Sequence, residues 1–127
     1  MWWYHGSDKL FPTLRRQKAL GPPGTPEKES LAAIYFSPDL FFALALGMRR
    51  NGKIVEIDNS NRTIRFENPD QFQPEKEIYI YCVGPEKIPD EKKVWVDERQ
   101  IAVDLDEIKP DKVERHKTGE VSQHHSI

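Results

Sequence analysis

Leu31-Ala32-Ala33-Ile34-Tyr35-Phe36-Ser37-Pro38-Asp39-Leu40-Phe41-Phe42-Ala43-Leu44-Ala45-Leu46-Gly47-Met48 is the stretch that decides the fold class. Its first six residues form a continuous apolar run of strand length, consistent with a buried strand. Ser37-Pro38-Asp39 reads as a helix start. Serine can cap free N–H groups, proline suits the first helical position, and aspartate complements the positive dipole end. Residues 40–48 are apolar on nearly every face, so this helix has to be enclosed rather than lie on a surface. Arg49, Arg50, Asn51 and Gly52 supply a cationic end and a stop. A chain of 127 residues is long enough to bury one core around this pair of elements.

Working outward, Trp2, Trp3 and Tyr4 read as a strand that ends on His5-Gly6-Ser7. Residues 12–20 are expected to form a short helix carrying Arg15, Arg16 and Lys18. Gly21-Pro22-Pro23-Gly24-Thr25-Pro26-Glu27-Lys28-Glu29 cannot continue a helix or a central strand and is expected as a mobile surface loop. Beyond the helix, residues 53–58 and 63–67 flank Asn59-Ser60-Asn61-Arg62 as a hairpin. Residues 77–83, 93–96 and 101–105 are three further strand candidates. From Pro110 the sequence turns polar, so 1–108 is expected as a single domain and 109–127 as a polar, flexible tail. One short helix, one enclosed helix and several strands make an α+β domain dominated by sheet.

Composition narrows the function classes. A net charge of -2 offers no bulk attraction to nucleic acid or to an anionic membrane. The longest apolar stretch, residues 40–48, is too short to span a bilayer, and the N-terminus lacks a basic region followed by a long apolar one. Cys82 is the single cysteine and falls in an apolar run, where a buried, inert thiol is expected. The expectation is a cytoplasmic, reducing setting with no membrane partner. No Cys/His cluster has metal-ligand spacing, and His116, His124 and His125 lie in the polar tail, so no structural metal is expected. No phosphate-binding glycine loop and no nucleophile elbow is present.

What remains as chemistry is carried by two short phrases, Tyr4-His5-Gly6-Ser7 and Ile34-Tyr35-Phe36-Ser37. His5 follows three aromatic residues and precedes Gly6-Ser7, which suits a strand end opening onto a cleft. Gly6 lets a ligand approach the backbone, whose N–H and C=O could pair with an amide. Tyr35 alternates to the opposite strand face from Ile34 and Phe36, where its ring could border a pocket. Asp97 and Glu98 stand between two strand-like runs, where a carboxylate can bind sugar hydroxyls and stabilise developing positive charge. An ordinary charged hairpin turn explains the same residues.

In order and spacing these pieces resemble the ADP-ribosyltransferase-like superfamily, in its His-Tyr-Glu branch, over roughly residues 1 to 108. In size the chain is similar to the rifampin ADP-ribosyltransferases, which use His-Tyr-Asp. The resemblance implies a small split β-sheet with one buried and one short helix. It also implies transfer of ADP-ribose from NAD to a protein, nucleic acid or small-molecule acceptor. By the same resemblance His5 would bind a ribose hydroxyl and the Gly6 backbone the nicotinamide carboxamide. Tyr35 would stack on the nicotinamide ring, and Ser7, Phe36 and Ser37 belong to the same NAD-binding phrases. Glu98 would stabilise the oxocarbenium-like transition state, with Asp97 and Asp70 as alternative acids. The sequence departs from the family pattern at Ala43 and Leu46, where related polymerases carry a serine and a tyrosine. Strict strand register could place Gln100 where the acid belongs. Those departures keep two alternatives open: a weak or inactive NAD- or ADP-ribose-binding module, and an RNA 2′-phosphotransferase using Arg15, Arg16, Arg49, Arg50 and Arg62.

Overall fold

Residues 1–18, 32–49, 51–58, 60, 61 and 63–119 are described by a computed structural model. In it, short strands are built around one helix. The strands are β1 (Trp3–Ser7), β2 (Leu14–Arg15), β3 (Gln17–Lys18), β4 (Ala32–Phe36), β5 (Ile54–Asp58), β6 (Thr63–Phe66), β7 (Glu77–Val83), β8 (Lys93–Asp97), β9 (Gln100–Val103), β10 (Glu107–Ile108) and β11 (Lys112–Lys117). The helix, α1, spans Leu40–Gly47. This is the α+β class that the sequence leads one to expect.

Two sheets carry the architecture, β1-β7-β11 and β3-β4-β9-β8, with β5-β6 and β10-β2 as separate two-stranded ribbons. All pairings are antiparallel. The sheets meet at one rung, where Tyr4 and Ser37 exchange both backbone hydrogen bonds at 2.8 Å. On one side of that junction lies the main core. Trp3, Tyr81 and Val83 come from the first sheet, and Ile34, Phe36, Ile101 and Val103 from the second. Leu14, Ile88 and Ile108 close it.

On the other side α1 lies across β1 and β7, placing Ala43 against Ile80 and Cys82. Its far flank, through Ala45 and Met48, meets Ile64 and Phe66 of the β5-β6 hairpin. A helix of eight residues is unstable alone. Burial at roughly 1.5–3 kcal/mol per large apolar side chain is what holds it. Being packed on both flanks explains why its sequence shows no polar stripe.

Three expectations are corrected. Asp39, not Ser37, caps α1: its carboxylate accepts from Phe41 N–H at 2.9 Å, and Pro38 lies before the cap. Ser37 keeps strand geometry because its N–H and C=O are held by Tyr4. The short helix expected over residues 12–20 is absent among the described residues, which run extended as β2 and β3. Leu14 and Arg15 pair with Ile108 and Glu107, and Arg16 bonds to Asp104 and Asp106, so partners about ninety residues away override the local reading.

The third correction concerns the chain after Pro110, expected as a loose tail. Residues 112–117 form β11, registered along β7 from Lys112 opposite Cys82 to Lys117 opposite Glu77. As an edge strand it needs no apolar face, and its charges keep the edge from pairing further. The expected loop at residues 21–29 and the histidines His124 and His125 lie outside the described residues. No described helix is long and apolar enough to cross a membrane.

Candidate functional site

Backbone alternation along β1 builds the site. Tyr4 uses its N–H and C=O on Ser37, so those of Gly6, two residues on, also point away from β7. In a continued ladder Gly6 would pair next with Tyr35. The strands part instead, and the His5 imidazole fills the gap, its Nδ1 lying 2.7 Å from the Tyr35 carbonyl oxygen. A carbonyl only accepts, so Nδ1 carries the proton and Nε2 is bare in the neutral ring. Nε2 has no partner among the described residues, and Trp3 Nε1 is the one buried side-chain nitrogen or oxygen left unpaired among them. Nε2 therefore keeps some exposure, on a half-buried ring next to the Gly6 peptide in the chain.

The imidazole is fixed from below. Its ring lies 5.9 Å from those of Phe36 and Tyr81. The Tyr81 hydroxyl donates to Lys9 C=O at 2.8 Å and accepts from Phe11 N–H at 2.6 Å, closing the loop after β1 over the buried phenol. Burial lowers the His5 pKa; the nearby Arg49 adds to this and the Tyr35 carbonyl opposes it. The ring is held neutral, as a hydrogen-bond acceptor at Nε2 requires.

The remaining residues of the two phrases divide by role. Gly6 meets α1: a Cβ there would run into the Ala43 carbonyl oxygen, and Gly47 packs on it from the next turn. Its smallness is needed by the helix, whereas the expected reason was ligand approach. Ser7 accepts from Lys9 N–H and Ser37 from Asp39 N–H, both at 3.1 Å, so these hydroxyls shape turns. Phe36 is core. Tyr35 is half-buried, opposite Ala102, and its side chain leaves β4 from the face opposite Phe36. His5 packs on the Phe36 side. The two phrases are brought together through a ring and a carbonyl, while the imidazole and the phenol lie on different faces of β4.

The acidic candidates lie at the tip of the β8-β9 hairpin. Asp97 opposes Gln100, leaving Glu98 and Arg99 as the two-residue loop. Asp97 Oδ1 accepts from Arg99 N–H at 2.7 Å, and its Oδ2 lies 2.9 Å from Arg99 Nη2. Burial raises the Asp97 pKa, but these bonds outweigh it and hold the group below its usual range. Asp97 is thus engaged internally, and Asp70 is exposed on a turn elsewhere. Glu98 is exposed, with no hydrogen bond or ion pair among the described residues. It lines a cleft of about 530 Å³ together with Tyr4, Pro38, Asp39, Leu40, Phe41 and Arg99. His5, Gly6 and Tyr35 do not line that cleft. Sequence reasoning missed Tyr4 as a lining residue, although its alternation with Trp3 would have placed it on this face.

Among the described residues no group of three or more His, Cys, Asp or Glu could hold a metal ion. No family model, curated protein or solved structure matches this chain.

Proposed function

We propose that this chain binds NAD at the β1-β4 split and transfers its ADP-ribose to an acceptor, on a small split sheet of the ADP-ribosyltransferase-like kind. One observation carries the reading. The His5 imidazole replaces a ladder rung, leaving an acceptor at Nε2 next to a peptide donor and acceptor at Gly6. A carboxamide needs a donor and an acceptor side by side, and a ribose hydroxyl needs an acceptor; the split offers both. Tyr35 enters the reading through its carbonyl, which orients the His5 imidazole. Glu98, which lines the neighbouring cleft with Tyr4, would stabilise the positive charge that develops at the ribose as nicotinamide leaves. The unpaired, buried Cys82 fits a reducing, cytoplasmic setting.

A second reading, an NAD- or ADP-ribose-binding module without transfer, is favoured by the position of Glu98 in a cleft that His5 does not line. Phosphotransfer to or from RNA gains no such support. Arg15 is paired with Glu107 and Arg16 with Asp104 and Asp106, while Arg50 and Arg62 lie outside the described residues.

Nicotinamide release from NAD separates the readings. Wild type is expected to turn over, with Glu98→Gln and His5→Ala each slower by about 100-fold or more. Saturable thermal stabilisation by NAD without turnover would establish the binding module. Neither stabilisation nor turnover would overturn both.

A further inference from the structure

A sheet ends in strands whose outer peptide groups are unpaired, and this molecule protects its edges unequally. On the first sheet the outer strand β11 carries Lys112, Glu114, Arg115, His116 and Lys117, charges and polarity that discourage further pairing. On the second sheet one edge is β3, only two residues long. The other is β8, five residues long, where Val94 is 38% and Trp95 50% exposed. Lys93 does not guard this edge, because its ammonium is drawn back to Asp90 at 2.9 Å and lies over the Trp3 ring. Trp95 packs edge-on against Trp3 with ring centroids 6.0 Å apart, so a half-exposed indole is held in place at the sheet margin. The backbone is aligned for a partner as well. Asp104 N–H donates to Lys92 C=O at 2.9 Å, and Lys93 and Val94 stand next along the ladder, opposite Val103 and Ala102. By alternation the peptide groups of Lys93 and Trp95 point away from β9. The Lys93 N–H is taken by the Asp90 carbonyl, which leaves the Trp95 N–H and C=O on the open edge. A bulge between Trp95 and Asp97 confines any new ladder to the stretch around Trp95.

We infer that β8 pairs with β8 of a second copy of this chain, antiparallel about a two-fold axis at Trp95, joining two four-stranded sheets into one. Charge selects a second copy as the occupant. Lys92-Lys93 precede the apolar Val94-Trp95-Val96, and Asp97-Glu98 follow it. A two-fold axis at Trp95 sets the basic end of each strand beside the acidic end of the other, whereas a parallel pairing would set like charges together. Trp95 and the partner's Trp95 exchange N–H and C=O, which brings the two indoles side by side on the face already formed by Trp3. Val94 lies beside the partner's Val96 on the opposite face. The same patch is used by both copies, so the contact closes on itself and gives a dimer rather than a fibre. This inference goes beyond the transfer reading and does not rest on it.

Sedimentation equilibrium of the full chain over a range of concentrations, without NAD, tests it. A reversible dimer is expected. Trp95→Lys and Val94→Lys, which put a charge on the open margin, should each weaken it by about tenfold or more. Val113→Lys, on the guarded edge of β11, should leave it unchanged. Lys92→Glu, which sets an anion beside the partner's Asp97, should weaken it by about two- to fivefold. Circular dichroism on the same samples shows which variants are folded. Should Trp95→Lys fail to fold for loss of its packing on Trp3, Val94→Lys still decides, because Val94 leaves β8 from the face opposite that contact. A monomer at every concentration, a dimer indifferent to Val94→Lys, or equal weakening by Val113→Lys would overturn the inference. So would association that continues beyond the dimer. An unchanged affinity in Lys92→Glu would overturn the antiparallel arrangement on which it depends.

Discussion

At the scale of single residues, Gly6 and His5 are neighbours with opposite duties. Gly6 admits α1, so Gly6→Ala forces a methyl group into the Ala43 carbonyl and cannot be relieved by a rotamer change. A loss of about 1–3 kcal/mol or more is expected in urea unfolding; an unchanged midpoint would mean the helix does not press on β1. The His5 imidazole is half-buried and held neutral, and its lowered pKa has a signed consequence. The unfolded chain takes up a proton near the ordinary value of 6.5, whereas the folded chain does so only at lower pH. Stability therefore falls as pH drops below that value, and the group contributes no slope above it. The stability difference between wild type and His5→Gln should shrink on going from about pH 7 to about pH 5, and a constant difference would show the ring to be unperturbed.

Among the elements, β11 is the one held by a device that no local pattern announces. Asn51, buried after α1, donates to the Gln73 carbonyl at 2.7 Å and to Thr118 Oγ1 at 3.1 Å, and accepts from Gln73 N–H at 2.7 Å. Thr118 in turn donates to the same Gln73 carbonyl. This clasp fixes the end of β11 to the chain before β7. Asn51→Ala should cost about 1–3 kcal/mol, with faster amide exchange at Thr118 and Gly119 than at β4. The elements that were legible in the sequence are those whose pattern is self-sufficient: β7 from its apolar run, the β5-β6 hairpin from its turn residues, and α1 from its continuous apolarity. The strands β2, β3 and β11 were not legible, because two are only two residues long and the third is a charged edge. Their strand character comes from partners far away in the chain.

For the whole molecule, β1 is the hub. It pairs with β7, meets β4 at one rung, and carries α1 on its other face. Sequence order alone brought the phrases around His5 and Tyr35 together, because both end strands that have to be buried. It did not reveal that the meeting is an imidazole against a carbonyl, since that depends on where two strands separate, and separation leaves no periodic trace. Nor did it reveal that Glu98 would face a cleft shared with Tyr4, which follows from the register of β8 on β9. The account as a whole depends on a neutral His5 whose Nε2 is available to a ligand. Nitrogen-15 spectra of the imidazole, recorded near neutral pH with and without NAD, test this directly. A proton on Nδ1, a bare Nε2, and a saturable shift of the Nε2 resonance with NAD are predicted. A charged imidazolium, or an Nε2 resonance indifferent to saturating NAD, would contradict it.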